Sequence, residues 1–204
     1  MLSANRLWNP KKDDFDYPGE RYAQRKWAKT PLAKVDAALD CGGYTAMKKY
    51  GGFRFPTPKY LELGNCWGWT NYFAMDLCCE PDLGGDARGR VESTAFLLLH
   101  QLQILDGWRE KGASWLRDPV PVIQGWEPDD YRRSVDLTEA ALAGAGRTWP
   151  DMVGIGSICR RAPLDEIAKV INTVLAEIPP HVGVHLFGVK GAALKAFAWS
   201  PRIL

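Results

Sequence analysis

Two aspartates, Asp40 and Asp76, each close an apolar run: VDAALDCGGY (Val35–Tyr44) for the first and YFAMDLCCEP (Tyr72–Pro81) for the second. Two carboxylates in different surroundings can divide acid and base duties, or act as nucleophile and acid at the C1′ of a sugar. Gln124, followed by Gly125, closes PVIQGW (Pro121–Trp126) and offers a carbonyl and an amide NH2 suited to the edge of a heterocyclic base. MVGIGSICRR (Met152–Arg161) brings Gly156 and Ser157, and VGVHLFGVK (Val182–Lys190) brings Gly188 after Phe187. Glycine lets a planar ligand approach the backbone closely. Tyr44 is a candidate stacking face, and Arg160 and Arg161 are candidate phosphate ligands just beyond a strand end.

Each of these residues also has a plainer reading. Either aspartate alone would be a turn cap, Asp40 over Gly42 and Gly43, Asp76 over the loop that follows it. Gln-Gly and Gly-x-Gly are common turns, and an arginine pair near a helix start is as readily a solvated pair. Trp67, Trp69 and Trp126 sit near these loops and favour packing over a base clamp. What turns the balance toward chemistry is repetition, because polar residues at the carboxyl ends of successive parallel strands converge on one pocket.

The elements that must position them follow from periodicity. Strands are expected at Val35–Leu39, Tyr72–Leu77, Val120–Ile123, Met152–Ile155 and Val182–Val189, with a last short one at Lys195–Ser200. Helices are expected at Thr45–Tyr50, Arg90–Glu110, Pro128–Ala143 and Pro163–Ile178. The second of these carries Val91, Ala95, Leu98, Leu99, Leu102 and Leu105 at helical spacing, and the last has Pro163 at its start and Pro179-Pro180 after its end. Alternating strands and helices specify an α/β protein with a parallel sheet. A full eight-fold barrel takes about 250 residues, so an abbreviated TIM-type (β/α) barrel over residues 31–204 is the first expectation and an open doubly wound sheet the second. Residues 1–30, polar and aromatic without a clean period, are read as an N-terminal arm or cap.

The 204 residues carry 26 basic and 24 acidic groups, a net charge of +2 that excludes neither a nucleic acid nor a neutral metabolite. The apolar run after Ala95 is far too short to span a bilayer and the first ten residues lack a signal-type core, so a cytoplasmic protein with no membrane partner is expected. Five cysteines without CxxC spacing and three histidines at no ligand spacing give no metal site and call for no cofactor. GIGSIC lacks the third glycine of the dinucleotide fingerprint, and no P-loop is present.

Taken together, the segments resemble the tRNA-guanine transglycosylase superfamily. DCGGYTAM is similar to its DSGGY/F segment, FAMDLCCEP to its Asp-x-Cys-x-Pro segment, and VIQGW to its strand ending in Gln-Gly; GIGSICRR and HLFGVK match two further barrel strands. IQGW, DDY, VGIGSxCRR and FGVK recur in the phage and bacterial queuine tRNA-ribosyltransferase-like branch that includes deazapurine DNA modification proteins. The resemblance covers about Val35 to Ser200. It implies a TIM-barrel pentosyltransferase that exchanges guanine in DNA or tRNA for a 7-deazaguanine, in host cytoplasm if phage-encoded. By motif, Asp40 would be the acid/base beside the glycosidic bond, Tyr44 would stack on the base, and Asp76 would bind its ring N–H and amino group with Cys78 nearby. Gln124, Gly125, Gly156, Ser157 and Gly188 would complete the pocket, with Phe187 on its wall. Cys41 replaces the serine of DSGG. The family's attacking aspartate precedes an AWS-like sequence, whereas here GAALKAFAWS follows FGVK with no acidic residue after Glu177. A non-catalytic base-binding relative, or a subunit completed by a homo- or hetero-oligomeric partner, is therefore the alternative.

Overall fold

The computed structural model describes residues 1–16, 37–66, 68–161, 163–189, 191–197 and 200–204. Trp67, the first residues of the strand expected at Val35–Leu39 and residues 17–30 of the expected arm lie outside the described residues. The chain divides into two compact units, Met1–Met75 with His100–Pro119 and Asp76–Leu99 with Val120–Leu204.

The first unit holds β1 (Leu2–Ser3), β2 (Trp8–Asn9), β3 (Asp14–Phe15), β4 (Ala38–Asp40), α1 (Gly43–Tyr50), α2 (Thr57–Cys66) and β5 (Asn71–Tyr72). Strands β1, β4 and β5 form a parallel sheet in which Ser3 faces Asp40 and Leu39 faces Tyr72. The opening residues are thus sheet and core where an irregular arm was expected. Leu2 and Ser3 pair with the strand that carries Asp40, while β2 and β3 form an antiparallel hairpin that buries Trp8 against Phe15 at 5.1 Å. Their strand pieces are two residues long, too short for any periodicity to reveal. Helix α2 went unrecognised in the sequence; it buries Tyr60, Leu61 and Leu63, and the Tyr60 hydroxyl donates to the Phe73 carbonyl at 2.6 Å.

The second unit holds β6 (Val122–Ile123), α4 (Pro128–Gly144), β7 (Met152–Ile155), α5 (Leu164–Glu177), β8 (Gly183–Leu186) and α6 (Gly191–Phe197), and takes residues 87–99 of α3 (Ala87–Glu110). Strands β6, β7 and β8 run parallel in that order, and Val184 makes a further parallel bridge to Ile203. Helix α5 places Ile167, Val170, Ile171 and Val174 on one buried stripe against Val153, Ile155 and Val184. Each such side chain contributes about 1.5–3 kcal/mol on burial. Helix α4 starts with a capping box in which Asp130 and Glu127 serve each other's backbone, and Pro128 stands at its first position.

Two expectations are corrected. The strand at Tyr72–Leu77 is only Asn71–Tyr72. Beyond it the backbone is buried but bonds to side chains: Met75 N to Gln101 Oε1 at 3.1 Å, Leu77 N to Thr94 Oγ1 at 2.9 Å and Cys79 N to Ser157 Oγ at 2.7 Å. The strand expected at Lys195–Ser200 is replaced over its first residues by α6, since Gly191–Phe197 is rich in alanine and leucine and contains no β-branched residue. The strands fall into three separate sheets, two of them parallel, and no closed barrel forms among the described residues. No described helix is long and apolar enough to cross a membrane.

Candidate functional site

In the second unit, β6 delivers Gln124 and β7 delivers Gly156 and Ser157 at their carboxyl ends. The segment Asp76–Glu80 brings Asp76, Cys78 and Glu80 to the same place. Asp76, Glu80, Gln124 and Ser157 are 5%, 1%, 1% and 3% exposed, so their polar atoms must satisfy one another rather than water. They do so in one chain. Gln124 Nε2 donates to Asp76 Oδ2 and lies 3.7 Å from the Cys78 sulfur, itself 3.7 Å from the same carboxylate oxygen. Ser157 Oγ lies 2.7 Å from Gln124 Oε1 and 2.8 Å from Glu80 Oε2, and accepts from the Cys79 N–H at 2.7 Å. The hydroxyl has one proton for two acceptors, so Glu80 and Gln124 share it.

The local backbone is built for this. Ser157 sits at φ 51°, a left-handed conformation uncommon outside glycine that aims its hydroxyl into the network. Gly156 carries no side chain because a Cβ there would overlap the Gln124 amide, and the Tyr131 hydroxyl donates to its carbonyl at 2.9 Å. A Cβ on Gly125 would come within 2.8 Å of the Tyr131 backbone nitrogen, so that glycine serves helix packing. Gln124 N donates to Ser134 Oγ of α4 at 3.0 Å, which fixes the residue from its backbone side. Gly188 turns at φ 65° after half-buried Phe187 and lies against Cys159, where a Cβ would stand 2.6 Å from the cysteine Cβ.

The arginines separate in role. Arg161 is almost fully covered: its guanidinium stacks on Trp126 at 4.1 Å, donates to the Trp126 carbonyl and pairs with Glu166 at 3.8 Å. Arg160 is exposed and lies 3.7 Å from Asp82. Arg161 therefore braces the loop after β6, while Arg160 stays at the surface beside Asp82. Trp69 is buried, its indole N–H on the Leu63 carbonyl at 2.9 Å, as packing requires.

In the first unit, Asp40 ends β4 and caps the turn it precedes: Gly42 N donates to its Oδ1 at 3.0 Å. Burial pushes its carboxyl above the ordinary range, and the Gly42 hydrogen bond opposes the shift. Gly42, at φ 74°, is the left-handed residue before α1, and Tyr44 stands half-buried in that helix's first turn. Two residues escaped the sequence reading. Asn5 donates through Nδ2 to the carbonyls of Cys41 at 3.2 Å and Gly42 at 2.9 Å, tying the chain start to the Asp40 turn. Glu80 lies in a segment that had drawn notice only for Asp76 and Cys78, and nothing local marks it as buried.

Burial pushes the Cys79 thiol up to about 12, so it is a structural thiol rather than a nucleophile.

The second unit is thus a parallel α/β unit that buries a carboxylate, an amide and a left-handed serine in one hydrogen-bonded network at its strand ends. The DpdA family, DeoxyPurine in DNA protein A, matches residues 17–200, and the chain belongs to that family. No curated protein matches the chain.

Proposed function

We propose that this protein exchanges guanine in DNA for a 7-deazaguanine, acting as a transglycosylase on an abbreviated (β/α) barrel. The observation that carries the reading is the buried Asp76–Gln124–Ser157–Glu80 chain in a member of this family. In this reading Asp76 accepts from the ring N–H and amino group of a guanine-type base, a carboxylate offering about four lone-pair sites. Gln124 presents an amide whose orientation is set by its two neighbours, giving the pocket a fixed donor and acceptor pattern. Gly156 lets that amide lie close against the backbone. Asp40, whose pKa burial raises, is the group that would give a proton to the departing base nitrogen. Arg160 takes a flanking phosphate. A duplex substrate would present its nucleotide by base flipping, which costs a few kcal/mol.

The test is incorporation of radiolabelled guanine into guanine-containing duplex DNA, run beside calorimetry of guanine and 7-deazaguanine binding. Asp76→Asn removes a charge-assisted acceptor, about 1.5–3 kcal/mol, and should weaken base binding roughly 10- to 150-fold. Unchanged affinity would remove Asp76 from base recognition.

The second reading, base binding without turnover by the isolated chain, is favoured by one observation: no acidic residue lies between FGVK and AWS, where the resemblance places the attacking aspartate. Binding of the base with no labelled guanine incorporated and no covalent DNA adduct would select it.

A further inference from the structure

We infer that the far end of α1 and the loop after it, Lys48, Lys49, Tyr50 and Arg54, form a docking surface for the phosphate backbone of DNA. This rests on the reading of DNA as substrate and names the surface that would hold it outside the base site.

The sequence from Cys41 to Leu61 contains four basic residues and no acidic one. Lys59 is engaged with Asp14 at 3.5 Å and Glu62 at 3.6 Å, which removes it from the count. Lys48, Lys49 and Tyr50 are exposed in the last turn of α1, and Gly51 ends that helix at φ 72°. The Tyr50 ring organises two cations, with the Arg54 guanidinium 3.9 Å and the Lys49 ammonium 5.2 Å from its centroid. Neither Lys49 nor Arg54 has a carboxylate within 4.0 Å among the described residues. Cations concentrated at the carbonyl end of a helix gain about 0.3–1 kcal/mol from its dipole, but that needs one charge, not three.

The Tyr50 ring and the Asn5 carbonyl hold the Arg54 guanidinium in place, so little order is lost when it meets a phosphate. The surface is also wired to the Asp40 turn. Arg54 reaches the Asn5 carbonyl at 3.5 Å, and Asn5 holds the carbonyls of Cys41 and Gly42. Arg6, next in the chain, is exposed and adds a further positive charge. A phosphate backbone meets these features better than an acidic protein surface does, because closely spaced cations around one ring match a regular array of charges.

The experiment is fluorescence anisotropy of a labelled DNA duplex with the full chain, from 50 to 300 mM salt. Each phosphate contact contributes about 0.9 to the slope of log K against log salt, so K49Q/R54Q should flatten it by about 2. K48Q/K49Q, both exposed, should flatten it similarly even if Arg54→Gln perturbs folding. Tyr50→Leu should weaken DNA binding with a smaller change in slope. Calorimetric binding of guanine should be unchanged in all of them. A slope equal to wild type in both double variants overturns the surface, as does salt-independent binding by the wild type. Absence of guanine binding by the wild type counts instead against the base-exchange reading, and the DNA slopes still judge this surface by themselves.

Discussion

Replacing Ser157 with alanine removes one oxygen that serves Cys79 N, Gln124 Oε1 and Glu80 Oε2 at 2.7–2.8 Å. All of these groups are buried, and each one stranded costs about 1–3 kcal/mol. The hydroxyl has only one proton, so one N–H and one acceptor lose a full bond, and the expected loss is about 2–5 kcal/mol. Alanine inherits the strained φ of 51°, whereas glycine does not. Ser157→Gly should therefore be less damaging than Ser157→Ala by about 0.5–1 kcal/mol, relief of the left-handed strain offset in part by backbone entropy. Base binding should fall as well, by about 3- to 10-fold, because the Gln124 amide must then be ordered by the ligand. Urea unfolding gives the stability order and calorimetry the affinity. An alanine variant within about 0.5 kcal/mol of wild type, a change no larger than ordinary surface substitutions produce, would refute the hub. A glycine variant worse than alanine would refute the strain.

Gly156→Ala should both weaken base binding and destabilise the fold by about 1–3 kcal/mol or more, because its Cβ overlaps the buried Gln124 amide; wild-type stability in urea with retained affinity in calorimetry would contradict the close approach. Tyr131→Phe removes the donor to the Gly156 carbonyl and should cost about 1 kcal/mol in urea unfolding. Of Cys41, Cys78, Cys79 and Cys159, only Cys159 is exposed, so peptide mapping after brief iodoacetamide treatment should find it labelled first and Cys79 last. Asp40 binds its proton more tightly folded than unfolded, so its contribution to stability is lost as pH rises from the ordinary carboxylate range through its raised value. Asp40→Asn keeps the acceptor for Gly42 N and removes the buried charge; it should melt no lower than wild type at pH 7 and show less loss of stability between pH 4 and 7.

Much of this was legible in the chain because some signals are local. Helix α5 announces itself by Ile167, Val170, Ile171 and Val174 and by the prolines at both ends, and strands β7 and β8 are apolar runs closed by glycine. Gln124, Ser157 and Asp76 were found because each stands at the end of such a run. Glu80 was not, since its burial comes from Ser157, 77 positions away, and no periodicity reports a partner at that distance. Asn5 and β1 escaped for the same reason, being bound to Asp40 and its turn across 36 or 37 residues. Segment 73–80 misled by composition: its apolar residues are buried as a strand's would be, but side chains of Gln101, Thr94 and Ser157 replace the neighbouring strand as backbone partners.

The two aspartates are held in ways that suit different duties. Asp76 faces an amide donor and belongs to a network of fixed geometry, the condition for reading a base rather than reacting with it. Asp40 meets one backbone N–H and is raised by burial, so near neutral pH a larger share of it carries a proton than an exposed carboxylate would. A protonated carboxyl can give its proton to a leaving base but cannot attack C1′, since only the ionised form is a nucleophile. Departure of the base and attack on the sugar thus make opposite demands on Asp40, and no acidic residue lies between FGVK and AWS to take over the second. If Asp40 makes the attack, exchange should quicken as pH rises through its raised pKa, and the departing base takes its proton from another group. Asp40→Asn should then erase the acidic limb along with the covalent DNA adduct. An acidic limb that survives in Asp40→Asn would show that another carboxylate makes the attack.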